Sequence, residues 1–255
     1  MSNKTASKRK KRAAHFILQG KGGVGKSMIA SLLFQYLQSI NVEVLGIDTD
    51  PNNSTFKNYE SLDVARLDLL EKDHINTANF DNLIESITET TADYVIDNGA
   101  NTFLPFFNYI NENNIFNILQ NELGIDVYIH TVITSGQAKL ETLKGVEKIV
   151  LTPSVPKKSI FIWENEYFGQ IDTEKDLKDY KIMSDFESTI VAGITIPEKN
   201  RDTFGKDISQ MLDQHKTFTE VQDSTRFKFM SKRRIQYFQE DMYSSIGAAL
   251  EKVGY

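Results

Sequence analysis

The sequence predicts an α/β fold in which a mainly parallel β-sheet is covered by helices on both faces. Short apolar runs of strand length alternate along the chain with segments whose apolar residues recur at helical spacing. Several apolar runs end directly in glycine or aspartate, as expected of buried strands that lead into loops. Strands that alternate with helices favour a parallel sheet with crossover helices on its faces.

The predicted strands are short and mostly apolar. They comprise residues 15–19, 42–47, 94–97, 126–133, 159–163 and 189–196. The predicted helices repeat apolar residues three and four positions apart. They comprise residues 26–41, 81–88, 103–121, 137–147, 203–214 and 231–252. The stretch 164–187 is rich in acids and lysines, and we expect an irregular excursion or an extra helix there.

Charge is distributed unevenly along the chain. Residues 1–12 contain six basic residues and no acidic one, whereas the whole chain has a formal net charge of −6, which leaves −12 for the rest. We expect residues 1–13 to form a basic, disordered arm and residues 14–255 to form one domain. Contact of residues 4–12 with DNA or a membrane surface is the alternative to a solvated tail, because such a segment attracts anions.

The composition excludes several kinds of chemistry. The chain has no cysteine, which rules out disulfides, thiolate-bound iron–sulfur clusters, thiol catalysis and cysteine-based zinc sites. No stretch reaches the roughly 18 apolar residues of a membrane-spanning helix. The apolar run 13–18 is too short for a secretory signal. We therefore expect a soluble, cytoplasmic protein.

A glycine-rich loop follows the first predicted strand and leads into the first predicted helix. Residues 20–27 read Gly-Lys-Gly-Gly-Val-Gly-Lys-Ser and match the pattern Gly-x4-Gly-Lys-Ser. Such glycines let backbone N–H groups surround an anion at the positive end of the following helix. Lys26 is predicted to reach the β- and γ-phosphates, and the Ser27 hydroxyl to bind Mg²⁺. The pattern predicts a P-loop for Mg·ATP. Its predicted nucleotide-binding residues are Gly20, Lys21, Gly22, Gly23, Val24, Gly25, Lys26, Ser27 and Met28.

Acidic residues end the second and third predicted strands. Asp48 and Asp50 close the second strand just before Pro51, and Asp97 closes the third. Because the carboxyl ends of parallel strands meet at the ligand crevice, these carboxylates are expected beside the phosphate loop. The alternatives are an ordinary Asp-Pro turn at Asp50 and a helix-capping role for Asp97.

The second lysine of the loop, Lys21, makes it resemble the deviant Walker A motif of the MinD/ParA class of P-loop ATPases. The resemblance implies a P-loop NTPase fold and an ATP-bound homodimer in which Lys21 reaches the phosphates of the partner. It implies that Asp50 orders Mg²⁺ and the attacking water, and that Asp97 holds Mg²⁺ through water. The catalytic residues it implies are Lys21, Lys26, Asp50 and Asp97, and the metal residues are Ser27, Asp50 and Asp97.

Two later positions resemble the base-binding end of the same ATPases. Asn165 follows the run 159–163, where the family reads adenine with an asparagine. Pro197 ends the segment 193–197, which resembles the one that flanks the adenine ring. Asparagine and proline are also common turn residues, so a plain turn is the alternative at both positions.

A further resemblance is to the TraL-type ATPases encoded in plasmid conjugation operons. It covers the chain from Phe16 to about Leu212 and rests on residues 47–51, 96–100, 130–132, 136–138 and 203–207. Met28 stands where many partition ATPases have a second hydroxyl residue. Asn98 and Gly99 stand where a proline-containing switch II is common. Both departures argue against a role in partition, and neither affects nucleotide binding.

The segment 231–252 carries an apolar stripe at helical spacing, which predicts a helix docked on the core. A membrane-lying helix, as in MinD, is the alternative. Lys232, Arg233 and Arg234 lie near its start, where positive charge opposes the helix dipole, so an anion or partner is expected there. The four histidines show no metal-ligand spacing, and Trp163 is expected in the core.

These patterns together predict a slow, dimerising ATPase switch that supports plasmid conjugative transfer or maintenance, with conjugation or plasmid proteins as partners. ATP would order the two switch loops, and hydrolysis would release them. The alternatives are an ATP-dependent small-molecule ligase or kinase on the same fold, a partition or positioning ATPase, and an adaptor that holds nucleotide without hydrolysis.

Overall fold

The computed structural model describes residues 11–71, 74–171 and 180–255. Seven strands form one parallel sheet, and a short antiparallel pair lies outside it. The strands are β1 (Ala13–Ile17), β2 (Val44–Asp48), β3 (Val64–Arg66), β4 (Leu70–Glu71), β5 (His74–Ile75), β6 (Asp93–Asp97), β7 (Asp126–Thr134), β8 (Ile160–Asn165) and β9 (Ile190–Ile196). The order in the large sheet is β3-β2-β6-β1-β7-β8-β9, which places β1 at its centre. The predicted α/β class is confirmed.

Helices connect the strands and cover both faces of the sheet. They are α1 (Lys26–Ser39), α2 (Asn79–Glu89), α3 (Phe103–Glu112), α4 (Ile115–Asn117), α5 (Lys139–Val150), α6 (Lys181–Asp185), α7 (Lys206–Asp213), α8 (Phe218–Asp223) and α9 (Phe229–Leu250). Single π-helical turns at Ile118–Glu122 and Arg201–Gly205 extend two of these segments. The main strands and helices predicted from the sequence are present with ends that differ by a few residues, except for the predicted helix 103–121, which is broken into shorter pieces.

Two apolar layers form the core, one on each face of the sheet. One layer joins the sheet to α1, α7, α8 and α9, and contains Phe34, Trp163 and Phe238. The other joins it to α2, α3 and α5, and contains Phe80 and Phe106. All five side chains are at most 1% exposed. Burying one large apolar side chain is worth about 1.5–3 kcal/mol, so the two layers dominate the stability of the fold.

The predicted helix 103–121 is not continuous. Helix α3 ends at Glu112, and Asn114 has the left-handed φ of 52° before the chain resumes as α4. Asparagine tolerates this backbone region better than most residues, which explains the break inside an otherwise helical pattern. The short edge strand β3 and helix α8 were not predicted, because each is too short to show a period. Of the predicted excursion 164–187, residues 172–179 lie outside the described residues.

The folded body begins earlier than the predicted arm ends. Residues 1–10 lie outside the described part of the chain, but Ala13 is 1% exposed and already belongs to β1. Its backbone N–H donates to the Asp93 carboxylate at 2.7 Å. The Arg12 guanidinium donates to the carbonyls of Ile87 and Thr88 at 3.1 and 3.3 Å. Ala13 thus lies in the first strand and not in the predicted arm, and the arm itself stays a prediction.

Helix α9 docks on the sheet through its apolar stripe. Ile235, Phe238, Met242 and Ile246 are at most 1% exposed. This arrangement confirms the core-docked helix and leaves the stripe unavailable to a membrane surface. Among the described residues, no helix combines the length and the apolar character needed to cross a membrane.

The basic residues at the start of α9 have partners within the chain. The Arg234 guanidinium lies 2.5 Å from the Asp207 carboxylate. The Lys232 ammonium donates to the Gln222 carbonyl at 2.6 Å. An anion was expected near the basic residues at the start of this helix. For Arg234, that anion is the carboxylate of Asp207.

A buried chain of hydrogen bonds crosses the sheet. The Trp163 indole donates to Nδ1 of His130 at 3.0 Å, and Nε2 of His130 lies 2.9 Å from Nδ1 of His15. Nε2 of His15 lies 2.7 Å from the Tyr255 hydroxyl, which donates to Asp93. An indole N–H can only donate, so both imidazoles are neutral with the proton on Nε2, and every donor points toward Asp93. The two histidines serve the core, in agreement with their lack of ligand spacing.

Candidate nucleotide-binding site

The glycine-rich loop lies between the carboxyl end of β1 and the start of α1. Gly23 and Gly25 have φ values of 73° and 99°, which residues with a side chain rarely adopt. A Cβ on Gly25 would also lie 2.7 Å from Nδ2 of Asn165. Gly25 precedes the first residue of α1, so the loop presents its N–H groups at the positive end of that helix. The local geometry is that of a phosphate cradle.

A cleft of about 680 Å³ lies over this loop. It gathers the predicted loop residues with side chains from the ends of β2 and β6 and from α5. The lining residues are Gly20, Lys21, Gly22, Gly23, Gly25, Lys26, Ser27, Met28, Asp50, Asn52, Asn53, Thr55, Asp97, Asn98, Ala100, Asn101 and Glu141. Of the predicted site residues, Val24, Asn165 and Pro197 do not line it. The tertiary structure therefore brings both predicted carboxylates, Asp50 and Asp97, to the loop.

Lys26 is the buried cation of the cleft. It is 8% exposed, and its ammonium donates to the Lys21 carbonyl at 3.2 Å. Burial lowers the pKa of Lys26, and the carboxylates of Asp97 and Asp50 oppose that change. The side chain of Lys26 thus offers hydrogen-bond donors to phosphate oxygens in the cleft.

Asp97 is the most perturbed acid of the cleft. It is 2% exposed, and its Oδ1 has no hydrogen-bond partner. Burial raises the pKa of Asp97 to about 7, and the nearby Asp48 acts in the same direction. A hydrogen bond from Ser27 and the charge of Lys26 act in the opposite direction. A buried carboxylate oxygen without a partner, beside a serine hydroxyl and a lysine, suits a bound cation.

Asp48 and Asp50 have different environments at the end of β2. Asp48 is fully buried and accepts the backbone N–H groups of Asp50 and Lys57, each at 3.0 Å. Burial raises the pKa of Asp48, and these two hydrogen bonds oppose the rise. Asp50 accepts the N–H groups of Asn52 and Asn53 at 2.9 and 3.0 Å while lining the cleft. Asp48 thus supports the loop, and Asp50 lines the cleft.

The loops after β2 and β6 contact each other directly. A Cβ on Gly99 would lie 2.9 Å from Cγ of Asp50 and 3.0 Å from its Cα, so only glycine fits there. The Thr49 hydroxyl donates to the Asn98 side-chain oxygen at 2.9 Å, and Thr102 donates to the same oxygen at 3.0 Å. Asn98 therefore ties the two loops together.

Lys21 lies at the open side of the cleft. Its ammonium forms an ion pair with Glu141 of α5 at 2.9 Å, and the two side chains are 39% and 60% exposed. Glu141 was not predicted as a site residue, because a glutamate in an amphipathic helix carries no distinguishing signal. Only the packing of α5 against β7 brings it to the loop.

The two predicted base-end residues lie in different places. Asn165 is 2% exposed, and its side chain donates to the Val24 carbonyl at 3.0 Å and accepts the Tyr167 N–H at 3.1 Å. Pro197 lines a separate cavity of about 290 Å³ that it shares with Met28. Asn165 thus supports the loop from behind, and its reading of a base stays a prediction. Met28 lines both spaces, so the cavity adjoins the phosphate cleft.

The fold and the cleft together define a P-loop nucleotide-binding protein. The family model described as the CobQ/CobB/MinD/ParA nucleotide binding domain matches residues 15–230, and the chain belongs to this family. The resemblance predicted from the loop is confirmed.

The chain also matches two Escherichia coli proteins, each described as Protein TraL. One is 38% identical over 237 residues, which cover 92% of this chain and 97% of the relative. The other is 37% identical over 234 residues, which cover 91% of this chain and 96% of the relative. The similarity spans nearly the full length of both proteins, which confirms the predicted TraL-type branch.

Solved structures agree with this fold assignment. The MinD cell division protein of Aquifex aeolicus has a TM-score of 0.52 and 17% identity, covering 91% of this chain and 97% of its own. The ParA family ATPase of Chlorobium tepidum TLS has a TM-score of 0.52 and 16% identity, covering 89% and 98%. At these identities the comparison shows the shared fold.

Proposed function

We propose that this protein is a Mg²⁺-dependent ATPase that hydrolyses ATP slowly, dimerises when ATP is bound, and supports the conjugative transfer or maintenance of a plasmid. Membership of the nucleotide-binding family supports the class of activity. The near full-length similarity to the two TraL proteins, together with the conjugation-operon motifs in the sequence, supports the plasmid setting.

One observation carries the proposal at the level of chemistry. Oδ1 of Asp97 is buried without a partner at the base of a cleft that also contains Lys26 and Ser27. Leaving a buried polar group unsatisfied costs about 1–3 kcal/mol, and more for a charged one. Folding by itself does not offset this free-energy cost, whereas binding of a cation and phosphates would. We therefore infer that Asp97 and Ser27 hold Mg²⁺ together with the nucleotide.

The other site residues have separate roles in binding the nucleotide and in its hydrolysis. N–H groups of the loop surround the phosphates, and Lys26 neutralises the β- and γ-phosphate oxygens. Mg²⁺, when bound, lowers the charge on the same phosphate oxygens. Asp50 accepts a hydrogen bond from the attacking water and holds it in position. Lys21 contacts the phosphates of the partner subunit in the dimer.

The contact between the two loops provides the switch. Asp50 and Gly99 are in contact, and the Asn98 side chain accepts hydrogen bonds from a hydroxyl of each loop. A movement of one loop therefore displaces the other. We infer that ATP orders both loops and closes the dimer, and that loss of the γ-phosphate releases them. DNA contact through the basic residues 4–12 stays the alternative to a solvated tail. Deletion of residues 1–12 tests it and is expected to abolish any salt-sensitive DNA affinity.

Calorimetric titration with ATP tests this function. We expect ATP to bind in the presence of Mg²⁺, with a large loss of affinity in Lys26→Ala and a weaker dependence on Mg²⁺ in Asp97→Asn. Absence of ATP binding with Mg²⁺ present contradicts the proposal. A single-turnover assay of phosphate release then separates a hydrolysing switch from an adaptor that only holds nucleotide.

A further inference from the structure

The first half of α9 carries large side chains on the side that faces solvent. Phe229 is 74% exposed, Met230 is 56% exposed and Tyr237 is 46% exposed. Phe229, Arg233 and Tyr237 are spaced four residues apart, so they follow one another along one face of the helix. This face, which with Met230 we call the outer face of α9, points away from the apolar stripe that docks on the sheet.

The surroundings of the outer face are positively charged. Residues 226–239 contain five basic residues and no acidic one, and the first turn of α9 has no acidic residue either. Among the residues that the structure describes, Arg234 is the only one of these five that forms an ion pair. Arg226, Lys228 and Arg233 are exposed. The positive charge beside the exposed apolar side chains is therefore not neutralised within the chain.

Arg233 and Tyr237 hold each other in place at the centre of the outer face. The guanidinium carbon of Arg233 lies 5.1 Å from the centroid of the Tyr237 ring. The same guanidinium donates to the Tyr237 hydroxyl at 3.1 Å and to the Gln236 side-chain oxygen at 3.0 Å. A side chain that is fixed beforehand loses less conformational freedom when a partner binds. Arg233 is thus prepared to meet a carboxylate next to apolar surface.

We propose that the outer face of α9 is a docking site for an acidic segment of a partner protein, whose apolar side chains pack against Phe229 and Met230. Exposed apolar surface of this kind marks interaction sites. Aromatic residues, methionine and arginine are enriched at protein interfaces, and tyrosine and arginine often dominate the binding energy. None of the four residues of the outer face lines the phosphate cleft, so the inference stands apart from the proposed function.

The charge pattern favours a protein segment over a nucleic acid or a membrane. Bases of a nucleic acid stack on open aromatic rings, whereas the Tyr237 ring already has Arg233 against it. A membrane presents a broad anionic surface. Here the exposed acids Asp223 and Glu240 lie just before and just after the basic stretch, and such a surface would repel them. A short acidic segment fits a positive patch that is bounded in this way.

Selection of random-sequence peptides displayed on phage tests this docking site. The full chain is the bait, and peptides that also bind the double variant Phe229→Ser/Tyr237→Ser are removed. We expect the remaining peptides to combine acidic residues with large apolar ones. A labelled peptide from this set should lose at least about tenfold in affinity with Arg233→Glu and with Phe229→Ser, as expected for side chains at the centre of an interface. Fluorescence anisotropy measures the affinity.

Matched measurements separate docking from damage to the fold and from other ligands. Leu151→Ser removes an exposed leucine outside α9 and should leave the peptide affinity unchanged. Arg233→Glu changes an exposed charge and should keep the wild-type unfolding midpoint, so it decides the outcome if Phe229→Ser is unstable. Selected peptides without an excess of acidic residues, or an unchanged affinity in Arg233→Glu, overturn the proposal. A DNA duplex or phosphatidylserine vesicles that lose more affinity than the peptide in these variants also overturn it.

Discussion

The ammonium of Lys21 lies 2.9 Å from the carboxylate of Glu141 within the same chain. The two side chains are 39% and 60% exposed, and such solvent-exposed ion pairs contribute at most about 1 kcal/mol. The pair is therefore weak enough to exchange for another partner. A phosphate group presented by a second subunit carries more negative charge than Glu141 and would compete for Lys21.

Lys21→Ala is the first prediction. If Lys21 acts across a dimer interface, this variant should bind Mg·ATP with nearly wild-type affinity but fail to dimerise, and its ATP turnover should fall by tenfold or more. Light scattering coupled to size exclusion, with and without ATP, measures the dimer. Unchanged dimerisation and turnover would contradict the role of Lys21.

Glu141→Gln is the matched variant for the same contact. It removes the competing carboxylate while leaving Lys21 in place. We expect the free energy of unfolding to change by less than about 1 kcal/mol, because the pair is exposed. ATP-dependent dimerisation should occur at equal or lower protein concentration than in wild type. A loss of dimerisation equal to that of Lys21→Ala would show instead that Glu141 itself is needed at the interface.

Asp97 gives a prediction for the pH dependence of stability. Its pKa of about 7 in the fold lies above the ordinary value of 3.8, so the folded state holds this proton more tightly than the unfolded state. The contribution of Asp97 to the free energy of unfolding is therefore full below about pH 4 and is lost as the pH rises to about 7. The loss is at most about 1.4 kcal/mol per pH unit in that window. Asp97→Asn should remove it in nucleotide-free protein.

Urea unfolding at several pH values between 4 and 8 measures this effect. Asp213→Asn, at an exposed position near the end of α7, is the control and should retain the wild-type pH dependence. The same pKa predicts that Mg·ATP binding weakens as the pH falls below about 7, since the ionised carboxylate is the form that holds a cation. A wild-type pH profile in Asp97→Asn would refute the assignment.

His130 predicts the opposite dependence on pH. Burial lowers its pKa to about 3, whereas an unfolded histidine titrates near 6.5. The unfolded state therefore takes up a proton first, and stability is lost as the pH falls from about 6.5 toward 3. In the wild-type protein, the loss of stability that His130 causes at low pH is partly cancelled by the gain that Asp97 causes. The effect of His130 should therefore be clearest in the Asp97→Asn background.

His130→Phe in that background tests the assignment. The variant should lose the acid-dependent fall in the free energy of unfolding. It should also be less stable at neutral pH by about 1–3 kcal/mol, because the Trp163 indole N–H loses its acceptor. His215→Asn, at a position with φ 48° that asparagine tolerates, is the control. An unchanged acid dependence in His130→Phe would assign the titration to another group.

Gly99→Ala probes the contact between the two switch loops. The added Cβ would lie 2.9 Å from Cγ of Asp50, so the loops must separate, at a cost of about 1–3 kcal/mol in stability. We expect ATP turnover to fall more than ATP binding, because Asp50 loses its position. Gly22→Ala is the control for stability, since its Cβ meets only an ordinary contact of 3.8 Å with Ala100. Equal stability of the two variants would mean that Asp50 moves away from the added Cβ without a loss in the free energy of unfolding.

Local patterns were sufficient for the phosphate loop and for most of the helices and strands. The loop is specific because its chemistry depends on consecutive residues: glycines at φ values of 73° and 99°, and Lys26 at the start of a helix. The carboxyl ends of parallel strands must share one edge of the sheet, so the proximity of Asp50 and Asp97 to the loop also followed from the sequence. Short elements such as β3 and α8, and the break at Asn114, have too few residues to show a period.

Contacts between distant residues were not predictable in the same way. Glu141 beside Lys21, Asn165 behind the loop, and the chain from Trp163 to Asp93 each join elements far apart in the sequence. No local pattern shows these contacts, because helix packing and strand register bring the side chains together. The amino-acid order thus specified the phosphate-binding chemistry, since the backbone of one continuous loop performs it. The partners that orient and regulate that loop depend on the packing of the sheet and its helices, because they come from separate parts of the chain.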